Sequence, residues 1–538
     1  MLANLNHQSI RIPPTCHVGY QTHFFLSPTD PVEVMNIIGN SKNNIGPDLI
    51  PGKVLKLGAR AISPILSILI NECFSTGIFP KSLKIARVTP IFKGEDLVSP
   101  SQWRPISIVS ALSKIIEKLA SSRLNKFLIK NKILMNNQFG FRSGHSTAHA
   151  ILNVNEQVLT NIDSNRHTLS IFLDLSKAFN CVNHDILLKK MQNYGITGTP
   201  LNFFRSYLTD QYQFTRVNGY DSEWRKITCG VPQGSVLGPL LFILYMNDLS
   251  NISSFSVSLF ADDTCLIISH KYITHLESIC NEQLKVVDDW FKANRLTANF
   301  KKASKFMLTT GKKLNTNVLS EIELKMGNVT LERVDSIQYL GVTLDENFTW
   351  SKQIMNLKTK LAGSVGILSK LRYFVDTKIL IQVYHALVCS RLHYGITCWG
   401  AAAKTVLHPI KVLQNRAIRF ISKISRYTKL DLAYLNLRLL KLEDIHELKL
   451  AQFMHSYTLD ALPPFLSNYF PSTSDQHNYP TNFASSLTFR PIRCKKSVTK
   501  RSIRFLAPHI WNKLPLSIKT ASKSNFKKDC KNHIFSSY

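Results

Sequence analysis

The stretch SFSVSLFADDTCLIIS (residues 254–269) alternates apolar and polar side chains on both sides of the tetrapeptide ADDT. That is the pattern of two short strands around a tight, polar turn. The turn carries Asp262 and Asp263. Two adjacent carboxylates inside an otherwise apolar run repel each other and are costly to desolvate, and a bound cation would relieve both penalties. Upstream, HTLSIFLDL (167–175) is rich in strand formers and places Asp174 near its end. It feeds SKAFNCVNHDILLKKMQNYG (176–195), which is apolar at helical spacing and closed by Gly195. If the strands are neighbours in one sheet, Asp174 meets the Asp262–Asp263 pair and the three form a hard, oxygen-only site. Nucleotidyl transfer needs such a site, because two Mg²⁺ ions about 4 Å apart neutralise the attacking and leaving oxygens. An Asp-Asp pair alone is weak evidence: Asp288-Asp289, in the amphipathic helix ESICNEQLKVVDDWFKANRL (277–296), is a bland one.

Between the two acidic segments lies CGVPQGSVLGPLLFILYMNDL (229–249), a turn punctuated by Gly230, Pro232 and Gly234 that opens an apolar helix. Glycines there let backbone approach a ligand, and Gln233 can hydrogen-bond a base or sugar edge. Further out, KVLKLGARAISPILSILINECF (53–74) and SALSKIIEKLASSRLNKFLIKN (110–131) read as helices, the second with a cationic face, and RVTPIFK (87–93) as a strand. SIQYLGVTLDENFTW (336–350) is hairpin-like with Gly341 at the bend. The chain has 538 residues, 66 Lys plus Arg against 35 Asp plus Glu, and a net charge of +31, which favours a polyanionic partner, nucleic acid first. The last 48 residues hold 12 Lys plus Arg and one acid, Asp529, an electrostatic footprint for nucleic acid or a solvated tail. No apolar run reaches the roughly 18 residues of a spanning helix, so no membrane role is expected. The N-terminus lacks a secretory pattern, so an intracellular, reducing compartment is expected. Ten cysteines without CxxC pairs exclude a disulfide scaffold or zinc ribbon. Cys389, His393 and Cys398, the nearest thing to a ligand cluster, read as core residues.

Taken in order, the blocks WRPISIVSALSKIIEKLASSRL (103–124), NNQFGFRSGHST (136–147), FLDLSKAFNCVNHDILLKKM (172–191), GVPQGSVLGPLLFILYMNDL (230–249), LFADDTCLI (259–267), NRLTANFKKASK (294–305) and QYLGVTLDENFTW (338–350) are specific. With a weaker continuation in WNKLPLSIKTASKSNFKKDCKNHIF (511–535), the sequence resembles the reverse transcriptases of non-LTR retrotransposons, of the jockey-type, LINE class. The resemblance implies an α+β, right-handed polymerase with fingers, a palm sheet carrying the metal site, and a mostly helical thumb and C-terminal region. The divisions it implies are a helical lead-in over 1–90, fingers over 91–165, palm over 166–310, a primer-gripping hairpin over 311–350, a helical thumb over 351–480 and a basic C-terminal segment over 481–538. It implies RNA-directed DNA synthesis from dNTPs on an RNA template and a DNA primer, with two Mg²⁺ (or Mn²⁺) on Asp174, Asp262 and Asp263, and residence in the nucleus.

By the same resemblance Phe179 occupies the space of a ribose 2′-OH and favours dNTPs, and Gln233 and Gly234 shape the nucleotide pocket. Arg142, Lys93 and Arg104 meet the triphosphate, Lys302 helps protonate pyrophosphate, and Tyr339 to Gly341 grip the primer. Each has a plainer reading: Phe179 as a core aromatic on the following helix, Arg142 and Lys93 as solvated cations, Lys302 as the flank of a strand. The chain departs from the family pattern at Asn180 and Asn183, where acids are usual, at Ala303, where a hydroxyl is common, and at Leu83, where a Trp is common. No endonuclease, zinc knuckle or ribonuclease H segment is expected in this chain. Asn180, Asn183 and that absence favour an alternative, a decayed retroelement remnant that only binds RNA. An RNA-dependent RNA polymerase is a third reading, opposed by Phe179.

Overall fold

The computed structural model describes residues 22–94, 96–175, 178–296, 305–310, 322–425, 427–472 and 487–538. Within these residues the chain is α+β. Helices α1 (Pro31–Gly39), α2 (Gly52–Leu57) and α3 (Ala59–Thr76) precede strands β1 (Ile85–Phe92) and β2 (Trp103–Val109), and helices α4 (Ala111–Lys130) and α5 (Thr147–Asp163) precede β3 (His167–Leu173). Helices α6 (His184–Asn193) and α7 (Gly198–Leu208) lead to β4 (Gln211–Val217), β5 (Tyr220–Asp221) and β6 (Arg225–Ile227). After α8 (Gly238–Met246) come β7 (Ser256–Phe260), β8 (Asp263–His270), α9 (Ile273–Ala293) and β9 (Lys305–Thr309). Short strands β10 (Lys325–Met326), β11 (Val329–Thr330), β12 (Glu332–Arg333), β13 (Ser336–Tyr339) and β14 (Val342–Asp345) follow, and beyond them the described chain is mostly helical.

The central sheet has the order β12-β9-β3-β8-β7. Its period-two alternation sorts side chains into two cores. Leu169, Ile171 and Leu173 of β3, with Leu266 and Phe306 of its neighbours, face one helical layer that includes α8 and α9. Phe172, Cys265, Ile267 and Met307 face the other, with α5 and the C-terminal helices. This is why β3 is buried along its whole length. Helix α8, GPLLFILYM, is apolar all round and accordingly buried from Leu240 to Met246.

The second sheet runs β2-β1-β4-β5, with β6 also on β4. This places residues 211–227, assigned by sequence to the palm, in the sheet of β1 and β2, which begins at Ile85, inside the expected lead-in. Helix α5, assigned to the fingers, packs under the central sheet. Contact between non-consecutive strands carries no local sequence signature, so neither placement is legible from hydrophobic period. The helix after β3 also starts later than its spacing predicts. Residues Ala178–Asn180 form one 3₁₀ turn, and Asn183 opens α6 at His184 by accepting the Ile186 N–H at 3.1 Å.

The basic C-terminal residues are not a free tail: helices Ile503–Lys513 and Phe526–Phe535 contribute Trp511, Phe526 and Cys530 to the second core. Two acids of α5 hold this segment. Buried Glu156 accepts the Ile503 N–H at 3.0 Å, and Asp163 accepts the Lys495 N–H at 2.8 Å and the Thr499 hydroxyl at 2.7 Å. Among the described residues no helix is long and apolar enough to cross a membrane.

Candidate active site

The aspartates meet because β3 and β8 are antiparallel neighbours. Leu173 pairs with Thr264, which sets Asp174, one residue on, beside Asp263 at the head of β8. Strands β7 and β8 form the expected hairpin, with Phe260 opposite Asp263 and a two-residue turn of Ala261 and Asp262, Ala261 lying in the left-handed region at φ 59°. The three carboxylates open into a pocket of 590 Å³ lined also by Lys93, Gln102, Trp103, Arg104, Phe179, Asn180 and Gln233.

The electrostatics of this pocket are those of an anionic cluster. Partial withdrawal from water pushes the Asp263 carboxyl up to about 6, and repulsion from Asp262 and then Asp174 adds to it, while Lys93 opposes. Asp262 is raised by the same loss of water and by Asp174, and is drawn back by its own backbone N–H, Arg104 and Lys93. Oxygen donors that repel one another in a half-enclosed pocket fit a hard divalent cation. The side chains do not stand pre-closed around one: among the described residues no three His, Cys, Asp or Glu groups sit close enough to hold an ion as they are. The same holds for Cys389 and His393, which contact each other at 3.4 Å.

A raised carboxyl pKa has a consequence for stability. Between the ordinary value of 3.8 and about 6, the folded protein binds more protons than the unfolded chain, so this group favours the fold increasingly as pH falls and penalises it above pH 6. In EDTA, Asp263→Asn is therefore expected to melt higher than the wild type at pH 7.5, by about 2 °C, with the advantage shrinking as pH falls through 6 towards 4. A melt series showing a pH-independent difference, or a loss, contradicts this account.

Three backbone attachments fix the pocket walls. The Val231 N–H donates to the Phe179 carbonyl at 2.8 Å and the Gly230 N–H to that of Val182 at 2.7 Å, wrapping the GVPQG loop around the 3₁₀ turn after Asp174. Gly230 is required there: at φ 88°, a Cβ would lie 2.7 Å from Asn180 Cα. The Ser107 N–H donates to the Gln233 carbonyl at 2.8 Å, tying the same loop to β2. Phe179 is held by stacking on Phe242 at 4.5 Å and by an edge contact with Phe141 at 5.9 Å.

Two positioning residues escaped the sequence reading. Gln138, buried in the NNQFGF block, accepts the Gly140 N–H at 2.8 Å and the Ala261 N–H at 3.1 Å, gripping the turn one residue before Asp262. Glu117, fully buried on α4, accepts the Val236 N–H at 2.6 Å and the Leu237 N–H at 3.1 Å, capping the entry to α8 just after the GVPQG loop. A lone acid on the apolar side of an otherwise basic helix was the available signal for Glu117. Glu117→Ala orphans both donors and leaves a cavity, so a loss of about 3 kcal/mol in unfolding free energy is expected in denaturant melts. Glu117→Gln, which keeps an acceptor, is expected to lose about half of that.

Not every expected residue reaches the pocket. Arg142 turns into its own loop, donating to the Met135 carbonyl at 2.6 Å and that of Gln138 at 3.3 Å, and burial lowers its pKa. Its guanidinium therefore braces the NNQFGF segment and does not line the pocket of the three aspartates. Gly234 packs on the Ser107 carbonyl behind the pocket wall, where a Cβ would come within 2.3 Å. Lys302 and Ala303 lie outside the described residues. Tyr339 to Gly341 form the β13–β14 turn, with Leu340 at φ 47° and Gly341 at φ 78° as a two-residue hairpin demands. That turn borders a second cavity, of 380 Å³, shared with Asp174, Asp263 and Lys305.

Residues 91–344 match the family described as reverse transcriptase (RNA-dependent DNA polymerase), and this stretch is a reverse transcriptase domain. Its kinship lies with jockey-like non-LTR retrotransposons. The chain is 32% identical over 429 residues to the probable RNA-directed DNA polymerase from transposon BS of Drosophila melanogaster, covering 75% of this chain and 46% of that protein. It is 28% identical over 426 residues to the RNA-directed DNA polymerase from mobile element jockey of the same species, covering 76% and 46%. It is likewise 28% identical over 410 residues to the probable polymerase from transposon X-element, covering 74% and 44%. The chain thus spans just under half the length of these relatives.

Proposed function

We propose that this chain is an RNA-directed DNA polymerase that extends a DNA primer 3′-OH with dNTPs on an RNA template and releases pyrophosphate. The observation that carries the reading is one pocket joining carboxylates at the ends of two neighbouring strands to Arg104 of a separate sheet and to Lys93 just past that sheet's β1, with Phe179 and Gln233 in its wall. The central sheet is then the palm, the β1–β2 sheet the fingers, the β13–β14 turn the primer grip and the following helices the thumb.

Asp174, Asp262 and Asp263 would hold divalent ions, Mg²⁺ or Mn²⁺, which supply charge neutralisation at the attacking and leaving oxygens. Lys93 and Arg104 bind the triphosphate from the opposite wall, and Arg104 does so with a planar fork that suits phosphate. Gln233 orients the base or sugar, with its backbone fixed to β2. Phe179 presents its ring where a 2′-OH would stand. The protein thereby contributes positioning and electrostatics more than covalent chemistry. Asn183, one of the departures from the family pattern, serves as a helix cap as well as Asp would, which favours a working enzyme over a decayed remnant. Activity in the nucleus is proposed with this reading.

The test is primer extension by purified protein on a heteropolymeric RNA template with Mg²⁺ and dNTPs, beside an Asp262→Asn/Asp263→Asn control. Product in the first and none in the second supports the reading. Salt-sensitive binding of primer–template without product under any divalent ion would make the RNA-binding remnant the better account.

A further inference from the structure

A cavity of 570 Å³ lies at the end of the central sheet remote from the aspartates, walled by α5, the start of β7, the end of β8, α9 and the C-terminal region. Ser269, in its wall, stands six residues along β8 from Asp263, which is about 20 Å at the rise of a strand. The cavity is therefore distinct from the pocket of the three aspartates. Two arginines reach it from separate segments. Arg166, just before β3, donates from Nε to the Ser269 hydroxyl at 3.1 Å and from Nη2 to the Ser269 carbonyl at 2.8 Å, which uses two of the five N–H donors of a guanidinium. Arg504, on the helix Ile503–Lys513, lies 5.0 Å from the Tyr469 ring centre, and its buried Nε–H has no partner among the described residues. Glu156 is the one acid among the described lining residues, and both its oxygens are engaged. Oε1 accepts from the Ile503 N–H at 3.0 Å and the Asn155 amide at 3.1 Å, and Oε2 accepts from the Ser502 hydroxyl.

Two guanidinium groups with donors to spare, beside one carboxylate already satisfied, give the lining a net positive charge. Their complement is an oxyanion. A planar carboxylate matches a single guanidinium fork, whereas a tetrahedral phosphate presents oxygens on several sides and can take donors from both arginines and from the Ser254 and Ser256 hydroxyls at once. Ile268 and Ile279 add an apolar wall. The volume falls in the range of about 300–1,000 Å³ that small organic ligands fill, beyond what an inorganic ion needs. A nucleic-acid strand is a poorer match, because no lysine to track its backbone lines the cavity among the described residues, and the Tyr469 ring already has Arg504 over it.

We propose that the cavity bounded by Arg166, Arg504, Ser256 and Ile279 is a binding site for a small phosphate monoester with a compact apolar body, which ties the C-terminal helices to the rear of the central sheet. The inference does not depend on the polymerase reading. The probe is phenyl phosphate, titrated calorimetrically into the full chain in EDTA at fixed ionic strength, beside inorganic phosphate and benzoate. Without divalent ions the three aspartates repel a phosphate from their own pocket. The wild type is expected to bind one equivalent of phenyl phosphate about tenfold more tightly than inorganic phosphate, the worth of burying part of the ring. Benzoate, with the same ring but a planar anion, is expected to bind about tenfold more weakly than phenyl phosphate. Arg166→Gln and Arg504→Gln are each expected to weaken phenyl phosphate by about tenfold or more, and Arg504→Lys, which keeps the charge, to recover part of the loss. Lys93→Gln/Arg104→Gln, which alters the aspartate pocket, is expected to leave the affinity within about twofold of wild type. Arg166 is exposed, so Arg166→Gln carries the test if Arg504→Gln fails to fold. No saturable binding, an affinity indifferent to both arginines, or a loss in Lys93→Gln/Arg104→Gln overturns the site. Inorganic phosphate or benzoate binding as tightly as phenyl phosphate overturns the ester, and displacement of phenyl phosphate by one equivalent of a short RNA overturns the small molecule in favour of a nucleic-acid strand.

Discussion

Asp262→Asn is expected to reduce primer extension by about 10³-fold or more while leaving affinity for the RNA–DNA primer–template within about twofold of wild type. The substitution is nearly isosteric, so the turn of Ala261 and Asp262 keeps its shape, with the Ala261 N–H still accepted by Gln138. What disappears is one carboxylate of three. Burial is the main cause that raises the Asp263 carboxyl, but Asp262 repels it more than Asp174 does, so the loss of Asp262 lets it fall part of the way from about 6. The pocket thus becomes electrostatically milder yet a poorer host for a divalent ion. A loss of about 4 kcal/mol of charge stabilisation corresponds to the expected factor. Binding, by contrast, comes from cations spread over a chain of net charge +31, and removing an anion from the pocket does not weaken it. Single-turnover extension and filter binding on the same preparation separate the two quantities. Extension retained in Mg²⁺ would falsify the placement of the metal site.

How much of this was legible beforehand follows a physical line. The β7–β8 hairpin and the meeting of Asp174 with Asp263 could be read because they depend on local alternation and on one strand pairing that the chemistry itself demanded. The all-apolar α8 and the Gly341 bend were legible for similar reasons. The long-range attachments were not. Gln138 reaching Ala261, Glu117 capping α8 and Glu156 holding Ile503 each join segments more than 100 residues apart, with one polar side chain in an apolar setting as the only local trace. Arg142 shows the converse, since its residue type suits a triphosphate but its donors are spent on carbonyls of its own loop. A guanidinium bends back when nearby buried carbonyls lack partners, and the sequence does not say which carbonyls those are. The 3₁₀ turn at Ala178–Asn180 misled in another way, because a helical apolar period persists through Phe179 although the backbone does not become α-helical until His184.

That turn is what makes Phe179 informative. Carried on an α-helix, its ring would belong to the core; on the turn, it lines the aspartate pocket with one side and stacks on Phe242 with the other. A ring clamped at 4.5 Å against a buried neighbour and met edge-on by Phe141 cannot swing away at low cost when a larger sugar enters. Forcing a hydroxyl against such a wall costs about 1–3 kcal/mol, which is a discrimination of about tenfold to a hundredfold against ribonucleotides. Phe179→Ala is therefore expected to erase most of that factor, measured as the ratio of kcat/KM for a dNTP and its matching rNTP on one template. The gain should lie in rNTP use, with dNTP efficiency falling modestly as Phe242 loses its stacking partner. Phe179→Tyr, which keeps the ring in place, is expected to hold the discrimination near the wild-type value. If alanine changes both substrates equally, the ring acts as packing alone and sugar selection must come from another wall of the pocket.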